Sequence, residues 1–340
     1  MSRSLNLIIS PELTGVPNLE ELILHDCQSL RELHPSVAIH KKLVVLDLSL
    51  CRNLSCLPRN FEMDSLMTLN LSYCSILKKI PEFVGNMECL QSLILNRTPI
   101  MELPSSFGSL IGLTSLILNG CKNLVCLPST ICSLNSLECL DLCGCSNIDN
   151  LPENLGNLEG LKFLDLSRTS IKELPSSIEC LRSLTSLTLL NCEKLVCLPN
   201  TTCGFKFYGA LNLSTCLGFK NLPENLWMIE DLEKLDLSET AIEGLPSSIE
   251  RLTSLTSLTL KNCKNLMCLP STICSLNSLE FLDLCECSNI DNLPENLGNL
   301  EGLKFLNLRG TSVKELPSSI ERLTSLTSLT LLNCKKLVSS

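Results

Sequence analysis

Histidine, aromatic residues and positive charge are all scarce in this chain. Its 340 residues include three histidines and only 4% aromatic residues. No serine, cysteine or carboxylate partner is fixed beside His25, His34 or His40, so we expect them to be surface or loop residues. The sequence also lacks a G-x-x-x-x-G-K-[ST] phosphate loop and a cluster with metal-ligand spacing. It therefore predicts a protein that is not an enzyme and needs no cofactor or metal.

Basic residues are outnumbered, and long apolar runs are missing. Lysine and arginine total 27 against 36 acidic residues, which gives a formal charge of −9. Such a charge disfavours nucleic acid or an anionic membrane surface as a partner. No run of about 18 apolar residues indicates a transmembrane helix. The apolar patch in the opening MSRSLNLIISPELTG is too short for a secretory leader. We therefore expect a protein of the cytoplasm or nucleus.

Leucine, by contrast, recurs at a fixed period. The stretch LTSLILNGCKNLVCLP, from Leu113 to Pro128, reads L-x-x-L-x-L-x-x-C-x-x-L-x-x-L-P. The same frame begins every 23 or 24 residues, at Leu19, Leu43, Leu66, Leu90, Leu113, Leu137, Leu161, Leu184, Tyr208, Leu232, Leu255, Leu279, Leu303 and Leu326. This period is typical of leucine-rich repeats.

Each part of the frame has a physical role. Strand side chains alternate, so Leu116 and Leu118 are predicted to point inward and Ile117 outward. Stacked repeats then pair their strands in parallel and close one leucine core. After the Leu-Pro pair, apolar residues at a spacing of three (Ile131, Leu134 and Leu137) predict a 3-10 or one-turn helix on the outer side.

The predicted fold is an α/β solenoid, a leucine-rich-repeat horseshoe with a parallel concave sheet and short helical or 3-10 outer segments. Residues 1–18 form a degenerate first repeat, and residues 19–340 form about 14 repeats of 23–24 residues, the last of them incomplete. Neither end shows the polar capping repeat that a solenoid needs. We therefore expect part of a larger receptor, a truncated gene product or a poorly soluble fragment.

The 22 cysteines follow the repeat. Ten occupy the ninth frame position: Cys27, Cys51, Cys74, Cys121, Cys145, Cys192, Cys216, Cys263, Cys287 and Cys334. Four more lie five residues later: Cys56, Cys126, Cys197 and Cys268. Because the chain has ample apolar core, we expect buried, reduced thiols at both positions rather than disulfides, which favours a reducing compartment.

A longer period overlies the short one. Thr98, Thr169, Thr240 and Thr311 replace the ninth-position cysteine at intervals of 71 residues. Residues 113–183 and 255–325 differ at only 12 of 71 positions, most of them on the outward side of the strand segment. The inward leucines are unchanged, a pattern that indicates a conserved core beneath a variable contact surface.

The outward position in mid-strand is often acidic, and this stripe is the candidate protein-binding site. Its predicted residues are Asp141, Asp165, Asp236 and Asp283, with Glu138, Glu280, Lys162, Arg168, Lys304 and Arg309 near them. Paired carboxylates can serve acid–base catalysis, but the repeat provides no cleft or desolvating wall for it. Two interpretations stay open, a solvated acidic face and a docking surface for a basic partner.

Phrases such as LEELILHDCQSL, LVVLDLSLCRNLSCLP and TSIKELPSSIE resemble the leucine-rich-repeat region of plant intracellular immune receptors with Toll/interleukin-1-receptor and nucleotide-binding domains. The resemblance covers roughly residues 5–340. It implies a role in plant disease resistance, with a pathogen effector or a receptor's nucleotide-binding domain as the protein partner. Nucleotide binding is not implied, because the phosphate loop is missing.

Two other classes remain as alternatives. The L-P-x-x-I frame is similar to intracellular scaffolds of the plant Ras-group-related type, although those favour asparagine where this chain has cysteine or threonine. An acidic, cysteine-rich solenoid also resembles the cytosolic ribonuclease inhibitor, whose repeats are longer.

Overall fold

The computed structural model describes residues 3–85, 87–199 and 206–338. By compactness the chain divides into two units, Met1–Ser170 and Ile171–Ser340. The strands of the first unit are β1 (Glu21–Ile23), β2 (Val45–Asp47), β3 (Asn60–Phe61), β4 (Thr68–Asn70), β5 (Glu82–Phe83), β6 (Ser92–Ile94), β7 (Ser115–Ile117), β8 (Cys139–Asp141) and β9 (Phe163–Asp165). Those of the second are β10 (Ser186–Thr188), β11 (Lys206–Asn212), β12 (Glu230–Asp236), β13 (Ser257–Thr259), β14 (Phe281–Asp283), β15 (Phe305–Asn307) and β16 (Ser328–Thr330).

The first unit contains a parallel sheet in the order β1-β2-β4-β6-β7-β8-β9. Equivalent frame positions pair across it, so that Leu116 of β7 lies opposite Leu140 of β8. Leu116 and Leu118 are fully buried and Ile117 is half-buried, which confirms the predicted alternation. The short strands β3 and β5 form a separate parallel pair.

The second unit repeats this arrangement in the order β11-β12-β13-β14-β15-β16, again parallel. Strands β11 and β12 are longer than the others, and a register irregularity around Gly209 interrupts their pairing. The regular part resumes at Leu211, which pairs with Leu235. The predicted division at residue 19, and a single solenoid over 19–340, stay predictions.

Short 3-10 helices form the predicted return segments. They span Ser105–Ser109, Ser129–Ser133, Leu155–Asn157, Ser176–Cys180, Leu226–Met228, Ser247–Arg251, Ser271–Ser275, Leu297–Asn299 and Ser318–Arg322. Proline fixes the extended entry to many of them, as Pro128 does with ψ 144°. Ile131, Leu134 and Leu137 are fully buried, as their spacing of three predicts. No helix in the described ranges has the length and apolar character needed to cross a bilayer.

A one-turn helix, α1 (Pro35–Ala38), replaces the 3-10 segment near the start, and two histidines support it. His34 precedes α1 and its ring nitrogen accepts the N–H of Ser36. His40 follows α1, is buried, and its Nε2 donates to the carbonyl oxygen of Val16 at 3.1 Å. The expectation of an exposed histidine was wrong for His40, because the chain folds over its ring.

The cysteine prediction was right for one group and wrong for the other. Nine of the ten ninth-position thiols are buried, and Cys334 is half-buried. The four cysteines five residues later (Cys56, Cys126, Cys197 and Cys268) are exposed. The buried side chains of this segment are those of Leu124 and Leu127, three residues apart, so the residue just before Leu127 faces solvent.

The turn after each regular strand contains one residue in the left-handed region. These residues recur at the same 23- or 24-residue interval: Asp26, Leu50, Tyr73, Arg97, Gly120, Gly144, Arg168, Asn191, Thr215, Glu239, Asn262, Glu286, Gly310 and Asn333. Their side chains vary from glycine to arginine, although a positive φ costs a non-glycine residue about 1 kcal/mol. The backbone of the turn is therefore imposed by the stacked repeats, and the side chain is free to vary.

Candidate recognition surface

The four predicted aspartates each end a strand, with half-buried side chains. In the first unit, Asp141 and Asp165 are direct partners in the register of β8 and β9. In the second unit, Asp236 and Asp283 are not neighbours, because Thr259 of β13 lies between them. The carboxylates therefore form one adjacent pair and two separate sites.

Most of the predicted charged neighbours are paired with one another at the surface. The ion pairs are Lys162–Glu138 at 2.8 Å, Lys304–Glu280 at 2.7 Å and Arg309–Glu286 at 3.6 Å. Exposed pairs of this kind stabilise a fold by less than about 1 kcal/mol each. Their main effect is to neutralise part of the predicted acidic stripe, while Arg168 has no ion-pair partner among the described residues.

The aspartates also have a structural role that the sequence reasoning missed. Each accepts the backbone N–H two residues later: Cys143 N to Asp141 at 2.8 Å, Ser167 N to Asp165 at 2.8 Å, Ser238 N to Asp236 at 2.9 Å and Cys285 N to Asp283 at 2.9 Å. Asn70, Asn212 and Asn307 make the same Asx turn. An Asp-x-Cys or Asp-x-Ser sequence at the strand end is the signal that could have revealed it.

One of these carboxyls has a perturbed acidity. Burial raises the pKa of Asp141, while the N–H of Cys143 acts in the opposite direction. The negative charge of Asp165 raises the pKa further. Two neighbouring half-buried carboxylates thus repel each other on this face, which favours a cation or a hydrogen-bond donor as the group that contacts them.

The outward face of the second unit also carries an aromatic pair. Phe281 and Phe305 occupy the first positions of β14 and β15, on the same side as Asp283. Their rings stack with centroids 4.4 Å apart and planes within 3°. Both side chains are half-buried. In the first unit the position of Phe281 is taken by Cys139, so this pair is one of the differences between the two copies.

Similarity to known proteins supports the repeat assignment. Residues 65–87 and 136–158 match the family described as Leucine Rich Repeat, and residues 271–339 match that described as Leucine-rich repeat region. In the solved Drosophila Toll–Spatzle complex, one chain matches 94% of this chain over 40% of its own length, with a TM-score of 0.55 and 18% identity. This likeness concerns the fold alone.

Curated relatives come from plant defence. The chain is 40% identical over 270 residues to TMV resistance protein N of Nicotiana glutinosa, and 34% identical over 266 residues to Disease resistance protein RPS6 of Arabidopsis thaliana. Each match covers 78% of this chain but only 24% and 21% of the two relatives. Together with the parallel strands and 3-10 return segments, these matches identify the chain as a leucine-rich-repeat region of the type found in plant disease resistance proteins.

Proposed function

We propose that this chain is a non-enzymatic protein-recognition module of plant disease resistance. Its partner is a pathogen effector or the nucleotide-binding domain of a receptor, and it acts within the cytoplasm or nucleus. The observation that carries the proposal is the stacked pair Phe281–Phe305, half-exposed on the outward face of β14 and β15. Similarity to two plant resistance proteins supports the biological setting.

The aromatic pair has the character of an interface centre. Large, rigid aromatic side chains contribute much of the binding energy at protein interfaces, because they exclude water at little cost in conformational entropy. Here they lie on parallel strands whose inward leucines are fully buried, so the platform is rigid. The flanking pair Glu280–Lys304 and the carboxylate of Asp283 supply a polar rim.

The test uses the full chain as bait in leaf extract, with chemical cross-linking and mass spectrometry of captured proteins. We expect one or more proteins captured by the wild type to be lost with the double variant Phe281→Ala/Phe305→Ala. Met267→Ala is the matched control, because Met267 is an equally apolar side chain that is 60% exposed and lies outside this face. A partner found in healthy tissue indicates a receptor domain, whereas one found only in infected tissue indicates an effector.

The contribution of the aspartates needs a variant that keeps the Asx turns. The fourfold change of Asp141, Asp165, Asp236 and Asp283 to Asn preserves the acceptor oxygen, as Asn70 and Asn307 demonstrate, and removes only the charge. We expect weaker capture if a basic partner docks there. Capture that is unchanged by both the aspartate and the phenylalanine variants would reject this face as the contact surface.

A further inference from the structure

The first unit contains a basic cleft that its acidic composition does not foreshadow. The cleft has a volume of 640 Å³ and lies among the turns that follow β6, β7, β8 and β9. Arg97, Lys122 and Arg168 line it together with Asn119 and two glycines, and no carboxylate is among its lining residues in the described part of the chain. Three cations thus lie together in a chain of net charge −9.

Two glycines keep the cleft open. Gly120 and Gly144 occupy the left-handed turn position between those of Arg97 and Arg168, both with φ 73°. A Cβ at Gly120 would lie 2.9 Å from Cγ of Arg97, so the missing side chain leaves room for that arginine. The guanidinium of Arg97 lies 5.6 Å from the ring centroid of Tyr73, which orients it by a cation–π contact.

The duplicated segment of the second unit supplies an internal comparison. The residues 142 positions after Arg97, Gly120, Gly144 and Arg168 are Glu239, Asn262, Glu286 and Gly310. The corresponding cavity, lined by Glu239, Asn262 and Lys264, is reduced to 240 Å³. The same backbone frame therefore carries cations around a wide cleft in one unit and carboxylates around a narrow one in the other.

The cations of the first unit are not paired within the chain. In the second unit Arg309 reaches Glu286 at 3.6 Å. Among the described residues, by contrast, no carboxylate lies within ion-pair distance of Arg97, Lys122 or Arg168. Arginine presents a planar fork of donors that suits carboxylate or phosphate oxygens. The open face of the cleft is therefore complementary to an anionic ligand.

We propose that this cleft binds an acidic segment of a protein partner, with its carboxylates on Arg97, Lys122 and Arg168. The proposal rests on the protein-recognition function above and names the chemistry of the partner. Three strand steps of about 4.8 Å separate the turns of Arg97 and Arg168, about 14 Å in all. Several carboxylates along a peptide match this spread better than one phosphate group, which needs donors that converge. Nucleic acid, the other extended polyanion, is opposed by the overall negative charge.

The test measures binding of a fluorescein-labelled oligo-glutamate peptide to the full chain by fluorescence anisotropy at low and physiological ionic strength. We expect salt-sensitive binding that weakens about tenfold in the double variant Arg97→Gly/Arg168→Gly, because charge-assisted contacts are lost. Both arginines have a positive φ (53° and 58°), which glycine adopts without strain, so the variant should fold. Thermal unfolding checks this.

The matched control is Arg182→Thr, which removes an exposed arginine outside the cleft in favour of the residue found 142 positions later, Thr324. Equal affinity of wild type and double variant, or an equal loss in the control, would overturn the proposal. So would oligothymidylate binding as tightly as the peptide, or inorganic phosphate displacing the peptide better than chloride at matched ionic strength. Partner capture through Phe281 and Phe305 is scored separately, so its failure would reject the proposed function rather than the cleft.

Discussion

The thiol of Cys145 donates to the carbonyl oxygen of Leu118, 3.1 Å away in the preceding repeat. The same bond recurs from Cys51, Cys74, Cys121, Cys216, Cys263, Cys287 and Cys334, each to the equivalent leucine, at 2.9–3.3 Å. In the threonine repeats the hydroxyl instead bonds three residues back within its own turn, as Thr98 does to Leu95 at 2.7 Å. The ninth-position cysteine is therefore a donor that links successive repeats as well as a small apolar side chain.

Replacement of Cys145 by alanine should destabilise the chain. The variant leaves the buried carbonyl of Leu118 without this donor and opens a small cavity, at a cost of about 1–3 kcal/mol. We expect a lower thermal unfolding midpoint by circular dichroism. The control is Cys126→Ala, which removes an exposed thiol from the same region and should change the midpoint little. Equal effects of the two substitutions would contradict an inter-repeat role for the Cys145 thiol.

Thiol alkylation should distinguish two cysteines within one repeat. Cys126 is exposed, whereas Cys132 is 3% exposed and burial raises its pKa to about 11. Because the thiolate is the reactive form, iodoacetamide at mildly alkaline pH should modify Cys126 in the folded chain and Cys132 only after denaturation. Cys268 and Cys274 provide the same comparison in the second unit. Peptide mass spectrometry reads the order, and modification of Cys132 as fast as Cys126 would argue against the packing.

Leucine periodicity was enough to predict the strands, their inward residues and the 3-10 return segments. Periodicity carries this information because each repeat buries the same positions against its neighbours. It failed at Cys126, where the spacing of Leu124 and Leu127 rather than strand alternation decides which side chain is buried. It also gave no sign of the left-handed turn position, because Leu50 and Thr215 occupy it despite their unfavourable intrinsic preference.

The candidate site was only partly accessible from sequence. The aspartate positions follow from the frame, but their Asx turns depend on backbone geometry two residues later. The basic cleft joins Arg97 and Arg168, which are 71 residues apart and become neighbours only through stacking. The pairing of Phe281 with Phe305 likewise needs the register between strands.

Gly298 is required by close packing of two return segments. A Cβ at Gly298 would lie 2.0 Å from the carbonyl oxygen of Ser319, a backbone atom that cannot move aside cheaply. Gly298→Ala should therefore separate the 3-10 segments Leu297–Asn299 and Ser318–Arg322 and lower the thermal midpoint, with an overpacking cost of about 1–3 kcal/mol. Gly244→Ala is the control, since nothing lies within 4 Å of its added Cβ. A midpoint lowered no more at Gly298 than at Gly244 would refute this packing.

The ionisation of Asp141 should cost stability at neutral pH. Burial raises the pKa of its carboxyl above the ordinary value of 3.8, and the charge of Asp165 adds to this. The folded chain therefore binds this proton more tightly than the unfolded chain does. Its contribution is fully favourable below the unfolded pKa and is lost as the pH rises through the raised, folded pKa.

Asp141→Asn isolates this effect, because asparagine keeps the acceptor for the N–H of Cys143 and cannot ionise. We expect the variant to exceed the wild type in thermal midpoint at pH 7, and the difference to shrink as the pH falls towards 4. Asp141→Ala loses the acceptor as well and should be less stable than Asp141→Asn throughout, by about 1 kcal/mol. Taking differences between variants removes the titration of all other groups. A gap between wild type and Asp141→Asn that widens on acidification would show that the carboxylate is stabilised in the fold, contrary to its burial beside Asp165.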